Sequence, residues 1–103
     1  MYKRQLWEDS DRTVCTHPGW PTIHGTGPII ESYDAIFRGP QTLQFILTNE
    51  RISVDGDLAY VTVDENLVDQ GANASSTAAL NIFARHGDAW RMIVHHASPI
   101  MRR

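Results

Sequence analysis

The sequence predicts an α+β domain in which a single helix covers one face of an antiparallel meander. Two observations carry this expectation. Ile29, Ile30, Tyr33, Ile36 and Phe37 recur at helical spacing, between a Gly25-Thr-Gly-Pro28 start and a Gly39-Pro40 stop. Four β-favouring runs then follow, separated by short turn signals. At 103 residues, the chain is expected to form one domain over residues 1–103.

Each element has a local reason. Tyr2 to Arg12 place Leu6 and Trp7 among charges, enough for only a short helix that depends on tertiary packing. Thr13-Val-Cys-Thr16 favours a strand, and His17-Pro-Gly-Trp-Pro21 must be a loop because proline and glycine interrupt both regular states. Thr22 to His24 is a second extended piece. Thr42 to Val54 alternates Leu43, Phe45 and Leu47 against Gln44, Ile46 and Thr48. Asp55-Gly-Asp57 turns the chain into a strand from Leu58 to Val68. A polar turn over Asp69 to Ser75 leads to a strand from Ser76 to Arg85. His86-Gly-Asp-Ala89 then turns into Trp90 to Ser98.

Composition excludes several functions. The formal net charge is −3, and no basic run is longer than the pairs Lys3-Arg4 and Arg102-Arg103, so nucleic-acid binding has no electrostatic support. No apolar stretch approaches the ~20 residues of a membrane span. The N-terminus lacks the apolar core of a signal peptide, and a single cysteine fits a reducing, cytoplasmic setting. Asn73-Ala-Ser75 matches a glycosylation acceptor, discounted for want of a leader.

The last strand carries the adjacent histidines His95 and His96. Successive strand side chains point to opposite faces, so these two cannot serve one site. Pairing across the two turns tests which of them faces inward. With the last turn centred on Gly87-Asp88, Asn81 opposes Val94 and His96 lies opposite Ala79; with the earlier turn near Ala72, Val63 opposes Asn81. One face then gathers Val63, Glu65, Asn81, Phe83, Val94 and His96. That is an apolar lining with a few polar groups, the usual make-up of a small-molecule pocket. A one-residue slip would invert the assignment.

On this register Glu65 and His96 form an acid–base pair, and Tyr33, on the sheet-facing side of the helix, supplies a phenolic donor to an oxyanion. The competing reading is that Glu65 and His96 merely satisfy each other and Tyr33 packs the core. His17 and Trp20, in the Pro/Gly loop, fall at the mouth of the pocket. Cys15, His17, His24, His95 and His96 are metal-ligand types, but no tight spacing such as His-Glu-x-x-His joins them. No metal site and no cofactor is therefore expected. Cys15 sits in a strand with no activating motif.

Several segments together resemble the SnoaL-like branch of the nuclear transport factor 2-like (NTF2-like) superfamily. They are Cys15-Thr-His-Pro-Gly-Trp20, Gly25 with the helix to Phe37, Val54-Asp-Gly-Asp-Leu-Ala-Tyr60, Arg85-His-Gly-Asp-Ala-Trp90 and His95-His-Ala-Ser-Pro99. The same order of pieces resembles the association domain of calmodulin-dependent protein kinase II. The resemblance spans about residues 7–99. It implies a cystatin-like cone, in which a curved antiparallel sheet wraps one main helix around a pocket. It also implies homodimers through the outer sheet face, where Ile52, Ile82 and Ile93 are expected. The long N-terminal helix of such proteins is shortened or absent here. Arginines that line the kinase association pocket are replaced by Val63 and Asn81.

Two functions follow as expectations. One is a pocket for a small apolar ligand, with proton transfer beside a carbonyl as in the isomerases, lyases and polyketide cyclases of the superfamily. The other is a non-catalytic association module whose product is the dimer.

Overall fold

The computed structural model describes residues 5–36, 44–68 and 74–101. The elements are β1 (Val14–Thr16), β2 (Ile23–His24), α1 (Thr26–Ile36), β3 (Gln44–Asp55), β4 (Leu58–Val68), β5 (Ala74–His86) and β6 (Ala89–Pro99). The expected end of the helix at Phe37 and Gly39-Pro40 lies outside the described residues, as do most of the expected polar turn and Asn73.

All six strands form one sheet in the order β2-β1-β6-β5-β4-β3. The meander β3 to β6 is antiparallel throughout. The sheet is mixed rather than purely antiparallel, because β1 runs parallel to β6, with Cys15 opposite His95. A parallel neighbour needs a long crossover, and the whole meander between β1 and β6 supplies it. Gly56 (φ 62°) and Gly87 (φ 60°) each open a two-residue hairpin loop. Positive φ at that first loop position favours glycine and matches the strand twist.

Two bulges bend the sheet. One lies in β3 between Thr48 and Arg51, where Asn49 has φ 58°. The other lies in β6: Ile82 opposes Val94 and Phe83 opposes Met92, leaving Ile93 unpaired. A bulge adds one residue to one strand and increases its bend and twist.

The core sits between α1 and the sheet, beside β1 and β2. Trp7, Cys15, Ile29, Ile30 and Met92 form one buried cluster, with Ile23, Tyr33 and Phe83 packed on it. Full burial of Ile29 contributes roughly 1.5–3 kcal/mol. Val63, Ala79 and Ala97 make a second cluster, in which small side chains let the strands curve closely.

Before β1, Gln5 and Leu6 are helical and Trp7 bridges Met92. This segment is tied down by Glu8, which is buried. The Arg12 Nε donates to Glu8 Oε1 at 2.6 Å, Ser10 Oγ donates to the same oxygen at 2.6 Å, and His86 Nε2 lies 2.6 Å from Oε2. These contacts, the Arg12 hydrogen bond foremost, hold the Glu8 carboxyl well below the usual carboxylate range. Thr26 Oγ1, at the start of α1, donates to the Glu8 carbonyl at 2.5 Å, joining this segment to the helix. No helix among the described residues is long and apolar enough to cross a membrane.

Candidate functional site

The β6 bulge decides which histidine faces inward. Because Ile93 has no partner, Asn81 opposes His95 rather than Val94, and Leu80 opposes His96. This corrects the expected register beyond Met92. His95 and Ala97 take the inward positions assigned to Val94 and His96. His96 is exposed on the outer face, in one row with Arg51, Thr62 and Leu80. It therefore cannot pair with Glu65. Ile52 moves the other way, since it opposes Val61 and shares the inner face with Asn81.

The inner face, the open side of α1 and the loop after β1 enclose a cavity of ≈ 460 Å³. His95, Glu65, Thr77 and Leu67 line it from the sheet, and Tyr33 and Ile36 from the helix. His17, Pro18 and Trp20 form its rim. Of the expected site residues, Glu65, Tyr33, His17 and Trp20 thus meet at one cavity. Asn81 stands behind His95, Val63 is buried in the second core cluster, and Phe83 packs on the first.

Local chain geometry places the rim. Pro18 and Gly19 occupy the centre of a turn closed by the Trp20 amide donating to the His17 carbonyl at 2.9 Å. Gly19 has φ 79°, which glycine tolerates after a proline in a type II turn. The turn folds the Trp20 indole edge-on to the His17 ring, with centroids 5.1 Å apart. The His17 ring also meets Tyr33 at 4.7 Å, nearly perpendicular.

His95 is the best-defined polar group in the cavity. Its Nδ1 lies 2.5 Å from Asn81 Oδ1. A carboxamide oxygen only accepts, so Nδ1 carries the proton and Nε2 the lone pair. Burial, with smaller contributions from His17 and His96, lowers the His95 pKa to about 4. The imidazole is therefore neutral at pH 7. Burial also holds the Tyr33 phenol far above its ordinary range, with Cys15 and Glu65 adding to the shift. Glu65 is raised by burial, against a weak hydrogen bond from Thr77 Oγ1 at 3.4 Å. Cys15, fully buried beneath the site, is pushed up to about 11 by burial and stays a thiol.

The cavity thus presents a neutral base, a protonated phenol and a carboxyl group, surrounded by apolar side chains. Among the described residues lining it there is no Lys or Arg. No group of three or more His, Cys, Asp or Glu side chains gathers to hold a metal among the described residues. His95 escaped sequence reasoning because nothing in Trp90 to Ser98 signals the bulge. The polar Asn81 in an otherwise apolar run was the one visible pointer to a buried partner.

A family model for the SnoaL-like domain matches residues 4–102. The chain belongs to the SnoaL-like family. Solved structures agree with this assignment. An NTF2-like protein of Streptomyces avermitilis, assigned as a candidate dehydratase, is 33% identical with a TM-score of 0.84, over 96% of this chain and 82% of that one. A candidate calcium/calmodulin-dependent protein kinase type II association domain from Thiobacillus denitrificans is 28% identical with a TM-score of 0.76, over 95% and 79% of the two chains. The S. rosetta CaMKII hub shares the fold, at 15% identity and a TM-score of 0.71 over 88% and 76% of the two chains. The SnoaL-like domain also resembles the F-box protein SKIP8 of Arabidopsis thaliana, at 29% identity over 97 residues. It spans 41% of that relative's length, although 94% of this chain is covered.

Proposed function

We propose that this SnoaL-like domain binds a small, uncharged and largely apolar carbonyl compound and transfers a proton beside the carbonyl, as an isomerase or dehydratase does. The observation that carries the reading is His95: a neutral imidazole, oriented by Asn81, inside an apolar cavity that also holds the Tyr33 phenol. The candidate dehydratase of Streptomyces avermitilis supports it at family level. A lone buried Cys15 suits a reducing, cytoplasmic environment.

In this reading His95 Nε2 removes a proton from the carbon next to the carbonyl. The C–H electron pair becomes the enol double bond as the carbonyl π pair moves onto oxygen. Tyr33 donates a hydrogen bond to that oxygen. Where the substrate carries a β-hydroxyl, the enolate collapses to re-form the carbonyl and breaks the β C–O bond, and the departing oxygen takes the proton from His95 and leaves as water. A different end point returns the proton to another carbon. Burial makes the imidazolium costly, so the step depends on the developing oxyanion nearby to balance it. A positioned base of this kind is worth roughly 10²–10⁴ in rate. Glu65 stands as the second proton carrier, and Trp20 and His17 cover the ligand.

The test is exchange of the methyl protons of acetonaphthone, a neutral aromatic ketone, for deuterium in deuterium oxide. The protein accelerates the exchange, and His95→Ala removes the acceleration while the fold persists. Equal exchange with and without protein rejects proton transfer.

A second reading is favoured by the outer sheet face. Ile46, Leu58, Tyr60 and Leu80 are exposed, and Leu80 and Tyr60 share that face with His96, Ile82 and Val94. We infer that a second copy covers this face, making the domain a homodimer. In that case association alone is the product if the cavity binds nothing.

A further inference from the structure

The interior of the rim holds a hydrogen-bond chain that proton transfer by His95 does not use. Ser32 Oγ lies 2.6 Å from the Ile29 carbonyl and 2.8 Å from His17 Nε2. All three residues are buried, at 7%, 0% and 4% exposure. A serine hydroxyl has one proton, and a carbonyl can only accept. The Ser32 proton therefore goes to Ile29, and Ser32 Oγ must accept from His17. His17 is consequently protonated on Nε2, the direction of both bonds following from the fixed helix carbonyl; Cys15 Sγ lies farther from that nitrogen, at 3.6 Å.

That ring is the shared support of two groups at the cavity. It meets the Tyr33 ring at 4.7 Å and 89°, and the Trp20 ring at 5.1 Å and 76°. Its backbone carbonyl also closes the turn that carries Trp20. Edge-to-face packing of this kind fixes orientation as well as adding contact.

We propose that His17 is a positioning residue, locked as its Nε2–H tautomer by Ser32 and Ile29, and that it sets the Tyr33 phenol and the Trp20 cover over the cavity. The helix thereby orients the rim of the site through one serine. A rotated His17 ring would leave Ser32 without its donor and release both aromatic groups. The role rests on the cavity being a ligand site, but the tautomer does not.

Two readouts separate these. Nitrogen-15 NMR of the histidine side chains in the unaltered protein shows which His17 nitrogen carries the proton, with Nε2–H expected. Ser32→Ala is expected to lose that assignment and to weaken acetonaphthone binding, read by Trp20 fluorescence, by about fivefold to tenfold, the loss of one buried hydrogen bond. Ser32→Thr, which keeps the hydroxyl, is expected to restore both. An Nδ1–H tautomer in the unaltered protein overturns the proposal. So does a Ser32→Ala protein with unchanged tautomer, or with unchanged affinity for a ketone that the unaltered protein binds. A ketone that fails to bind the unaltered protein, with Nε2–H found on His17 and lost in Ser32→Ala, rejects the ligand reading alone and leaves the lock in place.

Discussion

His95 Nδ1 and Asn81 Oδ1 face each other at 2.5 Å across β5 and β6. This pair exists because Ile93 is left out of the ladder. It converts a histidine on a half-apolar strand into an oriented neutral base. Asn81→Leu keeps the approximate volume but removes the acceptor. The expected outcome is a ten- to hundredfold loss of ketone proton exchange with binding retained, typical of a lost orienting partner. Loss of binding without loss of the exchange rate at saturation would point to simple cavity shape.

Acid should destabilise the fold earlier than ordinary surface carboxylates would. The folded-state His95 pKa of about 4 lies below the ordinary 6.5. Between those values the unfolded chain binds the proton and the native one does not. Stability from His95 is therefore complete above about pH 6.5 and is lost as pH falls toward 4. The full effect is of order 3 kcal/mol. Glu8, whose carboxyl is held low, acts in the same direction, and its contribution is lost as pH falls below 4.5. Urea unfolding at pH 7, 6, 5 and 4 should show a falling midpoint. His95→Gln should flatten the part of the curve between pH 6.5 and 5.

The N-terminal segment depends on Glu8. Its carboxylate joins Arg12, Ser10 and His86, at the turn between β5 and β6. Glu8→Ala leaves those donors without their acceptor and should cost about 1–3 kcal/mol. Trp7, 2% exposed beside it, should then show red-shifted fluorescence on local opening. An unchanged emission maximum would mean that Trp7 is held by the core alone.

Ile29 anchors α1 in the first core cluster and is fully buried. Ile29→Ala should cost about 2–5 kcal/mol in urea denaturation. It leaves the Ile29 carbonyl in place, so the His17 tautomer should survive wherever the protein remains folded.

Leu80 and Tyr60 test association. If the outer face is the dimer interface, Leu80→Asp places a charge in it and should weaken the dimer more than tenfold by sedimentation. A protein already monomeric at micromolar concentration removes the association reading.

Much of the fold was legible because local signals and global pattern agree. The helix spacing from Ile29, the Gly56 and Gly87 turns, and the strand limits at Leu58 and Val68 all stand in the structure, while β3 runs one residue past the expected Val54. The pairing of Arg85 with Trp90 and of Phe83 with Met92 also follows from the turn alone. The reading failed one residue later. A side-chain period of two makes every assignment beyond an unseen bulge invert, so His96 and Val94 exchanged faces with His95 and Ala97. Glu65 kept its face because no bulge separates β4 from β5. The β3 bulge inverted Ile52 in the same way: it lies an even number of residues from the outer-face Ile46, but the extra residue between Thr48 and Arg51 turns it to the inner face opposite Val61. Ser32 was passed over because a serine on a helix usually faces solvent; its burial depends on the His17 loop, a contact 15 residues away in sequence.

The most direct test is a nitrogen-15 NMR titration of the His95 side chain between pH 3.5 and 7.5. The expected result is a neutral ring protonated on Nδ1 down to about pH 4. Titration near pH 6.5, or a neutral ring protonated on Nε2, would contradict the assignment of His95 as the oriented base of this cavity.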